Sequence, residues 1–214
     1  MTEKRYPILA REGWLHIVLV TAAAALTQYI AGACWAVPLW IATVFVLQFF
    51  RDPPRVIPGA PGSVVCPADG KVIALGETMD PYLKRPARRI SIFMNVFNVH
   101  SNRSPVAGQI KERWYSRGKF FNAALDKASE QNERNALWIR TEDGQDVVVV
   151  QVAGLIARRI LCYVQSGERI TVGERFGFIR FGSRVDVYLP LTAQFQVALG
   201  DKVKGASDVI ARLN

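Results

Sequence analysis

The sequence predicts a mainly β protein of the α+β class, in which a hydrophobic helical hairpin precedes a β-rich domain. One observation is that residues 13–50 contain no Asp, Glu, Lys or Arg. A second is that the chain beyond residue 55 consists of short β-rich runs separated by Gly, Pro and charged turns. We therefore expect a hairpin and linker over residues 1–55 and a β-rich domain over residues 56–214.

The uncharged N-terminal segment is nearly long enough for two membrane spans, because one spanning helix needs about 20 apolar residues. Gly32 and Pro38 offer places where the chain can turn between two helices. Tryptophan favours membrane interfaces, and the segment contains Trp14, Trp35 and Trp40. The run is far too long for a cleaved signal peptide. This pattern indicates a membrane anchor.

Basic residues flank both ends of the segment, at Lys4, Arg5, Arg11, Arg51 and Arg55. A hairpin with both ends in the cytoplasm satisfies the positive-inside rule better than a single span does. We therefore expect attachment to the cell membrane, with the β-rich domain on the cytoplasmic side and His16 as an interfacial residue. The alternative is a helical hairpin buried within a soluble protein.

The composition points to an anionic partner. The chain has 214 residues and a formal charge of +9, from 27 Lys and Arg against 18 Asp and Glu. Such an excess suits nucleic acid, an anionic membrane surface or a phosphorylated substrate. Nucleic acid is disfavoured because the positive charge is spread thinly, without a stripe of basic and aromatic residues.

Cysteines and histidines limit the possible metal and disulfide chemistry. The three cysteines (Cys34, Cys66 and Cys162) are widely spaced and form no CxxC pair. They indicate neither a zinc site nor a disulfide framework, which fits a reducing compartment. The two histidines, His16 and His100, leave little room for a histidine-rich metal site. We predict no metal.

The β-rich part contains four clear strand patterns and one helical pattern. Strands are expected at residues 64–66, 71–75, 90–94 and 147–150, and a turn at residues 141–144. Residues 120–132 have apolar side chains at helical spacing and predict one amphipathic helix.

A weak internal repeat suggests how the β-rich part is built. Residues 167–173 resemble residues 200–205, and an apolar stretch follows each. The pattern is similar to the glycine-punctuated turns of lipoyl- and biotinyl-type sandwiched barrels. The lysine that carries the prosthetic group in those proteins is missing here, so the resemblance concerns architecture only. The domain is expected to be sandwiched-barrel-like.

The segment around which the rest is organised is a Gly-Ser pair, Gly182-Ser183, within residues 180–190. It lies between two apolar runs, which indicates a tight bend between strands. Glycine has no side chain to shield its carbonyl, so the neighbouring serine hydroxyl can approach that carbonyl. An N-to-O acyl shift followed by β-elimination would cut the chain and leave Ser183 as a pyruvoyl group. Such a ketone forms a Schiff base with an amine and withdraws electrons.

Two further residues complete a candidate catalytic set. Asp69 lies in a turn that enters a strand, within Pro-Ala-Asp-Gly at residues 67–70. His100 follows the strand at residues 90–94 and is the only histidine outside the apolar segment. Asp, His and Ser are the groups that a base-assisted serine needs: the carboxylate orients the imidazole, and the imidazole takes the hydroxyl proton.

On these residues the chain resembles the short form of the phosphatidylserine decarboxylase family, close to the archaetidylserine decarboxylases, over nearly its whole length. The marks are residues 49–53 (Phe-Phe-Arg-Asp-Pro), 67–70, 98–100 (Asn-Val-His), 132–134 (Asn-Glu-Arg), 181–186 (Phe-Gly-Ser-Arg-Val-Asp) and 189–190 (Leu-Pro). Long-form members usually have Leu-Gly-Ser-Thr at the cleavage point. They also have Asp where this chain has Asn98 and a second histidine where it has Arg103. His100 is then the one histidine able to act.

The resemblance implies a self-cleaving proenzyme. Asp69 and His100 would activate Ser183, and cleavage would separate a β chain (residues 1–182) from an α chain (residues 183–214). The covalent pyruvoyl cofactor from Ser183 would then decarboxylate phosphatidylserine to phosphatidylethanolamine, with His100 returning a proton to the α-carbon. The implied partners are the lipid substrate and an anionic membrane. The α/β heterodimer comes from one chain, and its assembly into larger homo-oligomers stays open.

Two alternatives remain at this point. One is a membrane-bound Ser-His-Asp hydrolase with intact Ser183, although the chain has neither a Gly-x-Ser-x-Gly elbow nor an alternating βαβ pattern. The other is a membrane-tethered β-barrel adaptor without chemistry. The adaptor would explain the anchor and the repeat, but it has no need of the Asp, His and Gly-Ser set.

Overall fold

The computed structural model describes residues 6–118, 123, 131–154, 159–180 and 182–214. The chain divides into two compact units, residues 1–54 and residues 55–214. The amphipathic helix expected at residues 120–132 lies almost entirely outside the described residues.

The first unit is a helical hairpin. A short 3₁₀ turn, Arg11–Gly13, leads into α1 (Trp14–Ala31), and α2 (Ala33–Phe49) follows after Gly32. The helices are antiparallel, because a bridge joins Leu9 to Arg51 on the two sides of the hairpin.

The turn of the hairpin is made by Gly32 alone. Its φ of 90° lies in the left-handed region that favours glycine. Pro38, the other expected turning point, lies inside α2 instead. Pro38 lies beyond the first turn of α2, so the helix continues there without the backbone hydrogen bond that another residue would donate.

The two helices are joined by polar and apolar contacts. Trp40 Nε1 donates to Gln28 Oε1 at 2.8 Å, and the ring of His16 packs against that of Phe50 at 5.5 Å. Residues Arg11–Ala31 are long and apolar enough to cross a membrane, whereas Ala33–Phe49 is apolar but shorter. The most exposed side chains of the hairpin include Tyr29 and Trp35 near its tip. An apolar outer surface of this kind suits a lipid environment.

The described part of the second unit is built mainly of strands. They are β1 (Ser63–Val65), β2 (Gly70–Asp80), β3 (Arg85–Met94), β4 (Ser101–Arg103), β5 (Gly108–Ser116), β6 (Arg134–Arg140), β7 (Asp146–Ala153), β8 (Ile160–Cys162), β9 (Arg169–Ile170), β10 (Arg175–Ile179), β11 (Ser183–Leu189), β12 (Gln194–Phe195), β13 (Lys202–Val203) and β14 (Val209–Arg212). The four predicted strands are thus confirmed, and three of them are longer than expected.

The strands form one large antiparallel sheet and two small ones. The large sheet is a curled half-barrel with the order β13-β2-β3-β11-β7-β6-β5-β9. The small sheets have the orders β4-β10-β8 and β1-β14-β12. The two segments of the internal repeat supply β9 and β13, which are the two edges of the large sheet. The mainly β class is confirmed.

The core lies on one face of the large sheet. Side chains alternate along each strand, so that Val72, Ile92, Val149 and Val185 point into one apolar cluster. A smaller cluster on the other face includes Tyr188. The predicted turn between β6 and β7 is also confirmed, since Gly144 N donates to Thr141 O at 3.1 Å.

Candidate active site

Ser183 is the first residue of β11 and lies in the middle of the large sheet. Its backbone is paired with Met94 at the end of β3 and with Ala153 at the end of β7. The residue is completely buried, and its Oγ donates to the Met94 sulfur at 3.4 Å. Gly182 has a φ of 58° in the left-handed region, and a bend of this kind needs glycine. The bend that the Gly-Ser pair predicts is therefore present at Gly182.

Gly154 lies directly against the carbonyl of Gly182, a contact that the sequence did not predict. A Cβ placed on Gly154 would collide with the Gly182 carbonyl oxygen, so the chain after β7 passes directly against the bond. Asn132 Nδ2 donates to Ala153 O at 2.7 Å, and Ala153 N donates to Glu133 O at 2.9 Å. These bonds give the Asn-Glu-Arg motif a physical role, which is to fix the end of β7 beside Gly182 and Ser183.

His100 directly precedes β4 and is completely buried. Its carbonyl accepts a hydrogen bond from Ile179 N at 3.3 Å, and its ring packs against that of Phe178 at 6.2 Å. Four residues of extended chain span at most about 14 Å, so Ile179 cannot lie far from Ser183. The structure thus brings the histidine beside the strand that leads into the Gly-Ser bend.

Asp69 comes to the same end of the large sheet, but its carboxylate is held by other groups. Arg55 Nη2 lies 2.8 Å from each carboxylate oxygen, and Gly205 N donates to Oδ1 at 2.8 Å. Among the described residues these are its hydrogen-bond partners, and His100 is not one of them. β2 is separated from β11 by β3 alone, which places Asp69 roughly 10 Å from Ser183.

Cys66 is the other reactive side chain in this region. Its thiol is buried and donates to Ala68 O at 3.0 Å. Burial raises the pKa of the thiol well above its usual range, so the sulfur stays protonated. A protonated thiol is a poor nucleophile, so Cys66 is not a candidate for the reactive group.

The face opposite to the Ser183 side chain carries a buried ion pair. The two partners, Arg184 and Asp186, are each about 1% exposed, and Arg184 Nε lies 2.9 Å from Asp186 Oδ1. Arg184 Nη1 also donates to Ala123 O at 3.2 Å. Side chains of β11 therefore point to both faces of the sheet: Ser183 faces the core, and Arg184 binds Asp186 on the opposite face.

Comparisons with known proteins identify the family of the chain. The sequence model of the phosphatidylserine decarboxylase family matches residues 42–211. A protein of Nitrosomonas europaea is 60% identical over 98% of this chain and 97% of its own length. Proteins of Aromatoleum aromaticum and Burkholderia ambifaria are 58% and 55% identical, each over 97% of both chains. All three relatives are named phosphatidylserine decarboxylase proenzyme. The chain therefore belongs to the phosphatidylserine decarboxylase family.

Proposed function

We propose that this chain cleaves its own Gly182–Ser183 bond and that the product is a pyruvoyl-dependent phosphatidylserine decarboxylase. The observation that carries the proposal is the position of Ser183. Ser183 is buried at the first position of the central strand β11, and Gly182 directly before it has a left-handed backbone conformation. The names of the relatives support both the substrate and the proenzyme state.

Self-cleavage uses groups of this chain and one water molecule. His100 takes the hydroxyl proton while Ser183 Oγ attacks the Gly182 carbonyl carbon, and the peptide C–N bond breaks to give an ester. Removal of the Ser183 α-proton then breaks the Cβ–Oγ bond, and Gly182 leaves as a carboxylate. Water replaces the nitrogen of residue 183, which leaves as ammonia. The new chains are residues 1–182 and residues 183–214.

The surroundings of Ser183 fit a pyruvoyl group. The residue is completely buried beside Met94 and Ala153, and the side chain of residue 183 needs no more space as a ketone and a methyl group than as serine. When present, the group supplies a ketone that accepts the substrate amine and an electron sink for loss of CO₂. His100 holds the proton that returns to the substrate α-carbon. The buried site excludes water from that proton transfer.

Asp69 is proposed as the acidic residue of the catalytic set, and the ion pair with Arg55 holds its carboxylate in place. This ion pair fixes the N-terminal end of β2, which pairs with β3, the neighbour of β11. Neither the intact-serine hydrolase nor the adaptor without chemistry is favoured, because the relatives are named phosphatidylserine decarboxylase proenzyme. The simplest test of the function is to give phosphatidylserine to the purified protein and to measure phosphatidylethanolamine and CO₂.

The N-terminal hairpin is proposed to hold the enzyme at the membrane, where the substrate lies. Basic residues then add attraction to an anionic leaflet, at about 1 kcal/mol for each residue near the surface. The proposed location is the cell membrane, with the second unit on the cytoplasmic side.

Replacing His100 with alanine is expected to slow self-cleavage, decarboxylation or both by a factor of about 10²–10⁴, the usual contribution of a general acid or base. Chain separation on a denaturing gel and release of CO₂ measure the two steps independently. His16→Ala, in α1, is the matched control and should leave both rates unchanged. Full activity of His100→Ala would remove this residue from the mechanism.

Deleting residues 1–50 is expected to release the protein from membranes, because the deletion removes both apolar helices. Flotation with lipid vesicles, for the full-length and the shortened chain side by side, measures this directly. If the shortened chain floats as the full-length chain does, the hairpin is not the anchor.

A further inference from the structure

Gly154 directly follows β7 and lies against the bond that the chain is proposed to cut. A Cβ atom built on Gly154 would overlap the carbonyl oxygen of Gly182 and would lie 2.9 Å from the carbonyl carbon. Non-bonded carbon and oxygen atoms usually stay about 3.3 Å or more apart. A residue with a side chain therefore cannot occupy position 154 while the Gly182 carbonyl keeps its place.

The need for glycine at this position comes from that contact and not from the backbone conformation. Gly182 has a left-handed φ, but Gly154 is not among the glycines that do. Alanine at position 154 would therefore carry no penalty for a left-handed backbone. The collision with the neighbouring carbonyl is what excludes it.

The backbone around Gly154 is held from two sides. Asn132 Nδ2 donates to Ala153 O at 2.7 Å, and Ala153 is paired with β11 across the sheet. On the other side, the Cβ built on Gly154 would lie 3.3 Å from the Cβ atom of Ala123, so residue 154 has little room to move back. A side chain added here is therefore accommodated mainly by a movement of the carbonyl.

Ser183 cannot follow such a movement. Its backbone is paired with Met94 on one side and with Ala153 on the other. The distance and the angle at which its Oγ meets the Gly182 carbonyl carbon would therefore change. A misplacement on the order of 1 Å can cost about 100-fold in rate.

We propose that Gly154 is a positioning residue for self-cleavage: lacking a side chain, it lets the end of β7 lie against the Gly182 carbonyl and keep that carbonyl in the orientation that the Ser183 hydroxyl attacks. This inference rests on the proposed cleavage at Gly182–Ser183. It adds to the predicted catalytic set a residue that supplies no reactive group and acts through the shape of the site.

The test is the rate of self-cleavage of the newly made full-length chain, followed as the appearance of two chains on denaturing gels. Gly154→Ala should cleave about 100-fold more slowly than the wild type, because the added methyl group displaces the carbonyl. Cleavage of the folded Gly154→Ala chain at the wild-type rate would overturn the proposal.

Gly108→Ala is the matched control. A Cβ atom on Gly108 would collide with the carbonyl oxygen of Arg140 in the same manner, but Gly108 begins β5, which is separated from β11 by β6 and β7. Both changes should lower stability, which urea unfolding measures in the uncut Ser183→Ala chain. Gly108→Ala should nevertheless cleave at the wild-type rate. Equal slowing of the two variants would overturn the proposal, because strain in the sheet would then explain the effect.

The double variant Gly154→Ala with Ala123→Gly separates positioning from a merely structural role. Ala123→Gly removes the methyl group behind residue 154 and keeps the carbonyl that accepts from Arg184 Nη1 at 3.2 Å. Residue 154 can then move away from the Gly182 carbonyl, so the double variant should cleave faster than Gly154→Ala alone. A structural role predicts the opposite, because the second change removes a buried methyl group. Rates equal to or below those of the single variant would contradict the proposal.

Asn132→Leu keeps the test decisive if Gly154→Ala does not fold. Leucine has a similar volume but cannot donate to Ala153 O, so the end of β7 is no longer held against the carbonyl. Cleavage should slow about tenfold, the change that corresponds to one ordinary hydrogen bond. An unchanged rate would contradict the proposal. If the wild type and Gly108→Ala themselves stay uncut, the proposed self-cleavage has failed, and not this inference alone.

Discussion

Ser183→Ala is expected to give one uncut chain without decarboxylase activity. Alanine has no oxygen to attack the Gly182 carbonyl, so neither the ester nor the pyruvoyl group can form. The effect should be complete in both assays, because the pyruvoyl group forms only after the Ser183 hydroxyl oxygen has started the cleavage.

Chain separation on a denaturing gel and release of CO₂ from phosphatidylserine test this expectation together. Ser91→Ala is a suitable control, since Ser91 is also completely buried and lies on the neighbouring strand β3. It should cleave and react as the wild type does. Normal cleavage of the Ser183→Ala chain would remove the pyruvoyl assignment.

The second large effect is expected on stability. Asp186→Ala removes the carboxylate that Arg184 contacts at 2.9 Å, with both side chains about 1% exposed. Removing one partner of a buried ion pair typically costs about 3–5 kcal/mol, because the other charge stays in a place without water. The free energy of unfolding should fall by that amount.

This loss is measured best on the uncut Ser183→Ala chain, in which unfolding does not also separate two chains. Urea unfolding of this chain with and without Asp186→Ala gives the difference. The double replacement Arg184→Met with Asp186→Leu should recover most of the loss, since apolar residues of similar volume replace buried pairs at little cost. A loss below about 1 kcal/mol would mean that water reaches the pair.

Much of the fold follows from local patterns in the sequence. The run of valines before Gln151 is a pattern typical of a buried strand. The turn at Thr141–Gly144 has the residues that turns prefer. The place of the hairpin turn is less well specified by pattern. Gly32 and Pro38 both break helices, but α2 continues through Pro38 without the hydrogen bond that another residue would donate, and only Gly32 forms the turn.

The candidate site was predictable where chemistry depends on residue type. Gly182-Ser183 and His100 could be proposed from residue type alone, and the structure places them at adjoining elements; their catalytic roles stay a prediction. The partner of Asp69 was not predictable, because Arg55 reaches it only after the chain has folded. The buried hydrogen bonds of Gln151 with Asn135 and Asn102 were not predictable for a similar reason, because a valine-rich strand gives no sign of the partners that the fold supplies.

Self-cleavage is tested most directly by the intact mass of the purified protein before and after treatment with borohydride. The account predicts two chains, residues 1–182 and 183–214, and a mass increase of the smaller chain as its ketone is reduced. Its N-terminus should also resist sequencing. A single chain of 214 residues with no mass change would contradict the account.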